Sequence, residues 1–393
     1  MSLSGKRILV GVSGGIAIYK TLELLSRLNK AGAETHVVMT ESATRFVTPL
    51  TFQTMSQHKV YTDLFEESDG VIPHIDLTRE ADAFLIAPAT ANVLAKMAHG
   101  MADDLLSATA LAAHCPVIVA PAMNVVMYQN PATQENLQIL EKRGIHVLYP
   151  NEGWLACQEV GTGRMPEATE LFEALDTFFT EKDLAGTKIL VTAGPTKERL
   201  DPVRFLTNDS SGKQGVAIAR RAQKRGAEVT LVHGDMKVPV PIHVRDIPVE
   251  STEDMLEALK KEFPATDVLI MAAAPADFRP VEEQTQKIKG LDDGKVRAFS
   301  VLDTPDILRT LAGMKTDQVV IGFATETEKV LEHAREKMEK KQLDFIVAND
   351  VTKEGAAFDY DTNIVTILGE EVEKSLPILS KEEVADQILD LLR

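Results

Sequence analysis

GKRILVGVSGG, residues 5–15, decides the fold. An apolar run rich in β-branched residues empties into a glycine turn, a helical pattern follows, and KAGAETHVVMT (residues 30–40) brings a second apolar run. The same succession recurs at GTKILVTAGPT (186–196) and KRGAEVTLVHG (224–234). That is a βαβ unit, built twice. The parallel continues: ADAFLIAPAT (81–90) answers TDVLIMAAAP (266–275), and CPVIVAPAMN (115–124) answers DQVVIGFATE (317–326). Near-continuous Val/Ile/Leu runs of this kind suit parallel strands covered on both faces.

The chain is therefore expected to be α/β, with two consecutive doubly wound, mainly parallel-sheet domains. Strands are expected at 7–12, 35–39, 83–87, 117–120 and 146–148, then at 188–192, 228–232, 268–272, 319–322 and 345–348. NIVTILG (363–369) and the following KSLPIL (374–379) read as a hairpin before a final helix. An amphipathic stretch at 166–179 gives way to the polar TEKDLAG. The expected division is a first domain over 1–179, a linker over 180–186 and a second domain over 187–393. In each, ligands belong at the carboxyl ends of the strands.

Bulk properties narrow the function. The 393 residues, 44% of them hydrophobic, supply two cores, and no apolar run reaches the roughly 20 residues that span a bilayer. The N-terminus lacks the apolar core of a signal peptide, so the expectation is a cytoplasmic protein with no membrane partner. A formal net charge of −17 argues against sequence-independent nucleic-acid binding, which needs a basic surface. The two cysteines, Cys115 and Cys157, make no disulfide framework, and no Cys/His spacing resembles a zinc site.

In the first half, Ser13-Gly14-Gly15-Ile16-Ala17 opens a helix, and backbone amides at such a start hold phosphate. The spacing is not G-x-G-x-x-G, and the second strand ends at Thr40 rather than at a ribose-binding acid. A mononucleotide such as FMN fits this better than NAD, although a bare glycine turn also serves structure alone. APATANV (87–93) supplies small groups at a strand end, and PAMNVVMY (121–128) sets Asn124 in apolar surroundings. Asn124 is either a ligand-binding amide or a turn residue bonding its own backbone. His74 lies just before a helical pattern, Cys157 lies in a Gly-bearing polar loop able to act as a flap, and Cys115 reads as packing.

Over nearly all of residues 5–178 these motifs resemble the flavin-containing cysteine decarboxylases, in their phosphopantothenoylcysteine decarboxylase branch. The resemblance rests on the SGGIA turn, the histidine before a helix, PATAN, PAMNxxMY and a cysteine-bearing flap ending in GRM. It implies a flavodoxin-like or Rossmann-like domain that binds FMN and forms trimers. Ser13, Gly14, Gly15 and Thr40 would hold the phosphate and ribityl side, and Thr90, Ala91, Asn92 and Ala122 would line the flavin. His74 would act in the oxidative, decarboxylating half, Asn124 would grip the substrate carboxylate, and Cys157 would be the proton donor of the reductive half. In that family the flavin oxidises the substrate thiol to a thioaldehyde, which lets CO2 leave, and the resulting enethiol is then reduced and protonated. The flap departs from the family pattern at Gln158 and Glu159.

In the second half, GPTKERLDPVRFLTNDSSGKQG (194–215) gathers hydroxyls, amides and a lysine near a helix start, which describes an anion site and is not a Walker A loop. Strand-end loops follow at MAAAPADFRP (271–280), TPDIL (304–308) and GFATE (322–326), with QKIKG (286–290) and the mixed-charge helix EHAREKMEKKQ (332–342). Taken alone, that helix reads as a solvated face.

Together these segments resemble the phosphopantothenate-cysteine ligases over residues 186–393, a Rossmann-like domain expected to dimerise. The bacterial branch activates 4'-phosphopantothenate with CTP to an acyl-cytidylate, which cysteine attacks. By motif match, Asn208 would act on the acyl-cytidylate, and Ser210, Ser211, Gly212 and Lys213 would meet phosphates. Met271, Ala272, Ala273, Asp277, Thr304, Pro305, Asp306, Ile307 and Phe323 would bind CTP. Lys287, Lys337 and Lys341 would neutralise the triphosphate, with Mg2+ as the implied ion and its ligands unassigned. Pro275 and Gly290 depart from the family pattern.

The two halves match consecutive steps, so the resemblance implies one bifunctional enzyme of coenzyme A biosynthesis. It would join cysteine to 4'-phosphopantothenate, then decarboxylate 4'-phosphopantothenoylcysteine to 4'-phosphopantetheine, in a homo-oligomer of up to twelve chains. Two rivals stand beside it: a two-domain NAD(P)- or flavin-dependent reductase, and a non-catalytic flavoprotein that regulates a partner by contact.

Overall fold

The computed structural model describes residues 2–65, 73–154, 160–289, 298–326, 330–350 and 360–393. Two compact units result, Met1–Thr180 and Glu181–Arg393.

The first unit runs β1 (Arg7–Val12), α1 (Ile18–Lys30), β2 (Glu34–Met39), α2 (Glu41–Thr44), α3 (Pro49–Ser56), β3 (Val60–Tyr61), α4 (Pro73–Arg79), β4 (Ala83–Ala89) and α5 (Ala91–His99). It continues with α6 (Leu105–Leu111), β5 (Val117–Pro121), α7 (Val125–Gln129), α8 (Pro131–Lys142), β6 (His146–Val147), β7 (Asn151–Trp154), β8 (Val160–Arg164) and α9 (Ala168–Phe179). The main sheet has the order β3-β2-β1-β4-β5-β6, all parallel. Alternation along β1 shows why both faces are covered: Ile8, Val10 and Val12 pack into the core that holds α1 and α9, while Leu9 turns to Phe84 and Ile86 on the other side. Each of these fully buried side chains contributes roughly 1.5–3 kcal/mol of transfer free energy.

The second unit runs β9 (Lys188–Ala193), β10 (Lys197–Arg199), β11 (Phe205–Thr207), α10 (Lys213–Lys224), β12 (Glu228–His233), β13 (Arg245–Pro248), α11 (Thr252–Glu262), β14 (Val268–Met271), β15 (Phe278–Pro280), β16 (Val301–Asp303) and α12 (Ile307–Ala312). Then come β17 (Val319–Glu326), α13 (Val330–Lys340), β18 (Phe345–Asp350), β19 (Thr362–Asn363), β20 (Val365–Gly369), β21 (Glu373–Ser375), β22 (Leu379–Ser380) and α14 (Lys381–Leu389). Its sheet order, β13-β12-β9-β14-β17-β18-β20-β21, repeats the first unit's and adds two antiparallel strands at the edge. The repeated order bears out the doubly wound reading. In both units the strand order reverses beside the first strand, between β1 and β4 and between β9 and β14, and ligands of such sheets bind at that reversal.

Every strand expected from apolar runs forms, β1 with the expected ends and the others with an end shifted by one residue or more. NIVTILG forms β20 and pairs with Glu373–Ser375, while Leu379 and Ser380 return to pair with Thr362 and Asn363.

Within the segment 180–186, Leu184 is buried in the second core and Asp183 pairs with Arg225 and Arg393. The Arg225 hydrogen bonds, reinforced by Arg393, hold the Asp183 carboxyl well below its usual range, at about 2. A carboxyl depressed on folding stabilises the fold above its unfolded pKa and loses that contribution as pH falls through the folded value. Asp183 therefore contributes roughly 2 kcal/mol at neutral pH, lost between about pH 4 and about pH 2. Urea titration of Asp183→Asn against the unsubstituted chain is expected to show a stability gap at neutral pH that closes over that window.

Candidate functional site

At the carboxyl edge of the first sheet, the turn after β1 is fixed by what surrounds it. The Ser13 hydroxyl, almost fully buried, donates to Pro88 O (2.7 Å) and accepts from Thr90 N (3.1 Å), bracing the ends of β1 and β4 together. A Cβ on Gly14 would stand 2.6 Å from Ser42 Cβ and 2.8 Å from the Ser42 carbonyl carbon. Only glycine lets α2 close onto this turn. Thr40 and Thr90 are the N-caps of α2 and α5, each accepting from the helix amide three residues on. Ala91 and Asn92 open α5, and Ala122 N donates to Ala89 O, joining the end of β5 to that of β4.

Three strand ends and two helix starts thus meet where the first amides of a helix lack intrahelical partners, an arrangement able to receive phosphate and the polar edge of a ring. Asn124 caps α7: its Oδ1 accepts from Val126 N (2.8 Å) and Met127 N (3.1 Å). The turn reading of this residue is therefore correct as local structure, and the cap also fixes the direction of the amide NH2 group. His74 starts α4, and its Nδ1 is buried without a hydrogen-bond partner among the described residues. That ring nitrogen is open to a hydrogen bond from or to a ligand. Cys157, with Gln158 and Glu159, lies outside the described residues. Cys115 is half-buried, and burial pushes its thiol pKa up, which suits packing rather than nucleophilic chemistry.

The second unit holds a cavity of about 640 Å3 at the β9/β14 reversal. Its floor is the loop after β14. Thr192 Oγ1 accepts from Ala273 N (3.0 Å), Gly194 O from Ala274 N (3.0 Å) and Thr196 Oγ1 from Ala276 N (2.9 Å). One wall is the start of α10, where Gly212 takes a left-handed φ of 77° as the N-cap, so that Ser210, Ser211 and Lys213 stand at the amino end of the helix. Asn208 is tied to the floor, its Nδ2 donating to Pro275 O (2.9 Å). Met271, Ala272, Ala273, Asp277, Thr304, Pro305, Asp306, Ile307 and Phe323 also line the cavity.

Lys337 and Lys341 line it too, one turn apart on α13 and its end, so the mixed-charge helix carries more than a solvated face. Lys337 Nζ donates to Phe323 O (2.8 Å), Lys341 Nζ pairs with Asp306 Oδ1 (3.2 Å), and Lys213 Nζ pairs with Asp361 Oδ1 (2.7 Å). Lys287 is not among the lining residues. It sits exposed on a segment pinned by the buried Asp201, whose carboxylate accepts from Ile288, Val203 and Arg204 N–H. Burial pushes the Asp201 carboxyl up, but those three amides outweigh it and hold its pKa below the usual range.

Sequence reasoning missed six polar residues of the cavity wall: Asp209, Gln214, Asp303, Asn349, Asn363 and Lys381. Gln214 Nε2 donates to Lys381 O, Asn363 Nδ2 to Gln214 Oε1, and Lys381 Nζ to Tyr360 O. Asn349 lies toward the carboxyl end of β18, where the strand-end rule could have found it. Asn363 and Lys381 arrive through the separate antiparallel pair β19–β22, and no pattern in the sequence announces that.

The geometry defines a flavin-type α/β unit followed by an α/β unit with a nucleotide-sized polar cavity. The model of the Flavoprotein family matches residues 1–180, and that of the DNA/pantothenate metabolism flavoprotein C-terminal domain matches residues 184–393. The coenzyme A biosynthesis bifunctional protein CoaBC of Bacillus subtilis is 47% identical over 393 residues, covering 98% of this chain and 96% of its own. That of Escherichia coli K12 is 42% identical over 394 residues, covering 99% and 97%. Among solved structures, the C-terminal domain of a CoaBC is 43% identical, covers 54% of this chain and 96% of its own, and superposes with a TM-score of 0.46. The chain belongs to the CoaBC family of bifunctional coenzyme A biosynthesis enzymes. It is a flavoprotein carrying a decarboxylase and a ligase, which sets aside both the reductase and the non-catalytic reading.

Proposed function

We propose that the second unit activates 4'-phosphopantothenate with CTP and Mg2+ and passes the acyl group to cysteine, and that the first unit binds FMN and decarboxylates the 4'-phosphopantothenoylcysteine formed. The observation that carries this reading is the cavity at β9/β14. Sixteen of the residues that the ligase resemblance nominated, all but Lys287, lie around one space, and a triphosphate, a sugar and a base need such a mixture of helix amides, lysines and small-residue backbone.

In that cavity the start of α10 and the Lys337 and Lys341 ammonium groups offset triphosphate charge. Backbone groups of the Met271–Ala273 floor and the α12 start read the nucleoside, and Asn208 orients the activated carbonyl. Lys287, outside the wall, acts from the Asp201-pinned segment. In the first unit Gly14, Gly15, Thr40 and the Ser13 brace hold the phosphate end of FMN, with Thr90, Ala91, Asn92 and Ala122 along the ring. Bound flavin supplies the two-electron oxidation of the substrate thiol without which the carboxylate has no electron sink. Asn124 fixes that carboxylate, His74 moves a proton in the oxidative half, and Cys157 returns one in the reductive half.

Apolar side chains exposed on adjoining hairpins of the second unit, among them Val203, Phe205, Phe278 and Val301, support self-association, in keeping with dimeric ligase and trimeric decarboxylase units within a cytoplasmic homo-oligomer. Among the described residues no helix is long and apolar enough to cross a membrane.

The flavin half is tested by its cofactor. Denaturing the purified yellow protein is expected to release FMN, because the Ser13–Gly15 turn receives one phosphate and Thr40 stands where a dinucleotide ribose needs an acid. Release of FAD or a nicotinamide nucleotide instead of FMN contradicts it.

A further inference from the structure

Away from both sites, Glu34, His36 and His58 converge at the amino end of β2. Glu34 opens the strand and His36 follows two residues on, so both stand on one face of the sheet, and His58 lies between α3 and β3. His36 Nε2 is 2.8 Å and His58 Nε2 3.6 Å from the same Glu34 Oε1, and the two rings are 4.3 Å apart at their centroids. The three candidate donor atoms all lie within 4.8 Å of one another. A tetrahedral ion with bonds of about 2.0–2.1 Å sets its ligand atoms roughly 3.4 Å apart, so side-chain adjustments of about an ångström suffice to seat one here.

A second observation points to a cation. His58 Nδ1 lies 2.9 Å from Ser56 O and 3.2 Å from Thr35 O. Carbonyls only accept, so Nδ1 carries the hydrogen and Nε2 is the ring nitrogen turned to the cluster, where it can present a lone pair to an ion. A backbone carbonyl holding the remote ring nitrogen is the usual support of a metal-bound histidine, and it fixes the ring so that Nε2 faces Glu34 and His36. Arg7 Nη2 also reaches Glu34 Oε1 (3.1 Å) and competes for that oxygen, while Glu80 offers the guanidinium a second carboxylate.

We propose that Glu34, His36 and His58 form a binding site for a divalent transition ion of the zinc class, with three protein ligands and a water in the fourth position. Two imidazoles and one carboxylate select zinc, cobalt or nickel over magnesium or calcium, which prefer all-oxygen sites. Four extended residues, about 13 Å, separate His36 from Thr40, so the ion would clamp β2 to the α3–β3 connection and stay clear of the flavin edge.

The test is zinc titration of the tag-free, chelator-treated full chain by calorimetry, with cobalt absorption in parallel and flavin content as the check on folding. The expected result is one zinc site insensitive to excess Mg2+, with affinity reduced tenfold or more in each of Glu34→Gln, His36→Gln and His58→Gln. Cobalt is expected to give tetrahedral-type bands in the unsubstituted chain alone, and zinc to raise the melting temperature of that chain but not of the variants. Flavin-loaded variants that bind zinc as tightly as the unsubstituted chain, competition by Mg2+, or no zinc binding at all would overturn the proposal.

Discussion

Lys337→Met is expected to lower CTP-dependent ligation by about 100-fold or more while leaving decarboxylation of supplied 4'-phosphopantothenoylcysteine unchanged. Methionine keeps most of the stem's length and packing and removes only the ammonium, so the loss reads charge rather than fold. Lys341→Met is expected to be at least as damaging for a further reason. Lys341 neutralises Asp306, which caps α12 at the cavity wall, and without the lysine that carboxylate would face the incoming triphosphate unopposed. Steady-state kinetics of the two half-reactions, run separately on each variant, reads both. Parallel loss of ligation and decarboxylation would show that the lysines support the fold and not the nucleotide.

Gly234→Ala is expected to disable the second unit by another route. A Cβ at Gly234 would stand 1.8 Å from Pro195 O and 2.7 Å from its carbonyl carbon. Neither is the movable tip of a side chain. The turn after β12 and the turn after β9 would have to separate, and the second of these carries the Thr196 hydroxyl that holds Ala276 and the Pro195–Ala274 bridge beneath the cavity floor. Overpacking against backbone costs on the order of 3 kcal/mol, a large share of a domain's stability. Calorimetric unfolding is expected to show a lowered transition for the second unit, with ligation lost. The single tryptophan, Trp154, lies in the first unit, so its fluorescence and the bound flavin are expected to report an intact decarboxylase.

The fold was legible because its central strands are buried on both faces and therefore read as apolar runs, as Ile8–Val12 and Ile189–Ala193 do. Short edge elements escaped. The pairs β7–β8, β10–β11 and β15–β16 are two-stranded, three to five residues long per strand and incompletely buried, so no long apolar run marks them. Likewise β3 and β13 add edges whose pairing is set by the sheet and not by their own composition. The cavity's floor and the α10 wall were legible because small residues and a Ser-Ser-Gly-Lys turn follow strands directly. Its far wall was not, since Asn363 and Lys381 reach it through antiparallel pairing between segments distant along the chain, Thr362 with Ser380 and Asn363 with Leu379. The Glu34, His36 and His58 cluster was hidden for a related reason. Twenty-one residues and two helices, α2 and α3, separate the two histidines along the chain, and the β2–β3 pairing brings them together.

The central claim is that one chain performs both reactions in order. The most direct measurement incubates the purified protein with 4'-phosphopantothenate, cysteine, Mg2+ and CTP and follows the products by mass spectrometry, with and without CTP. The account predicts that 4'-phosphopantothenoylcysteine forms only when the nucleotide is present and is then converted to 4'-phosphopantetheine with loss of CO2. An adduct that forms without CTP, or one that accumulates with no decarboxylated product on flavin-loaded protein, would contradict it.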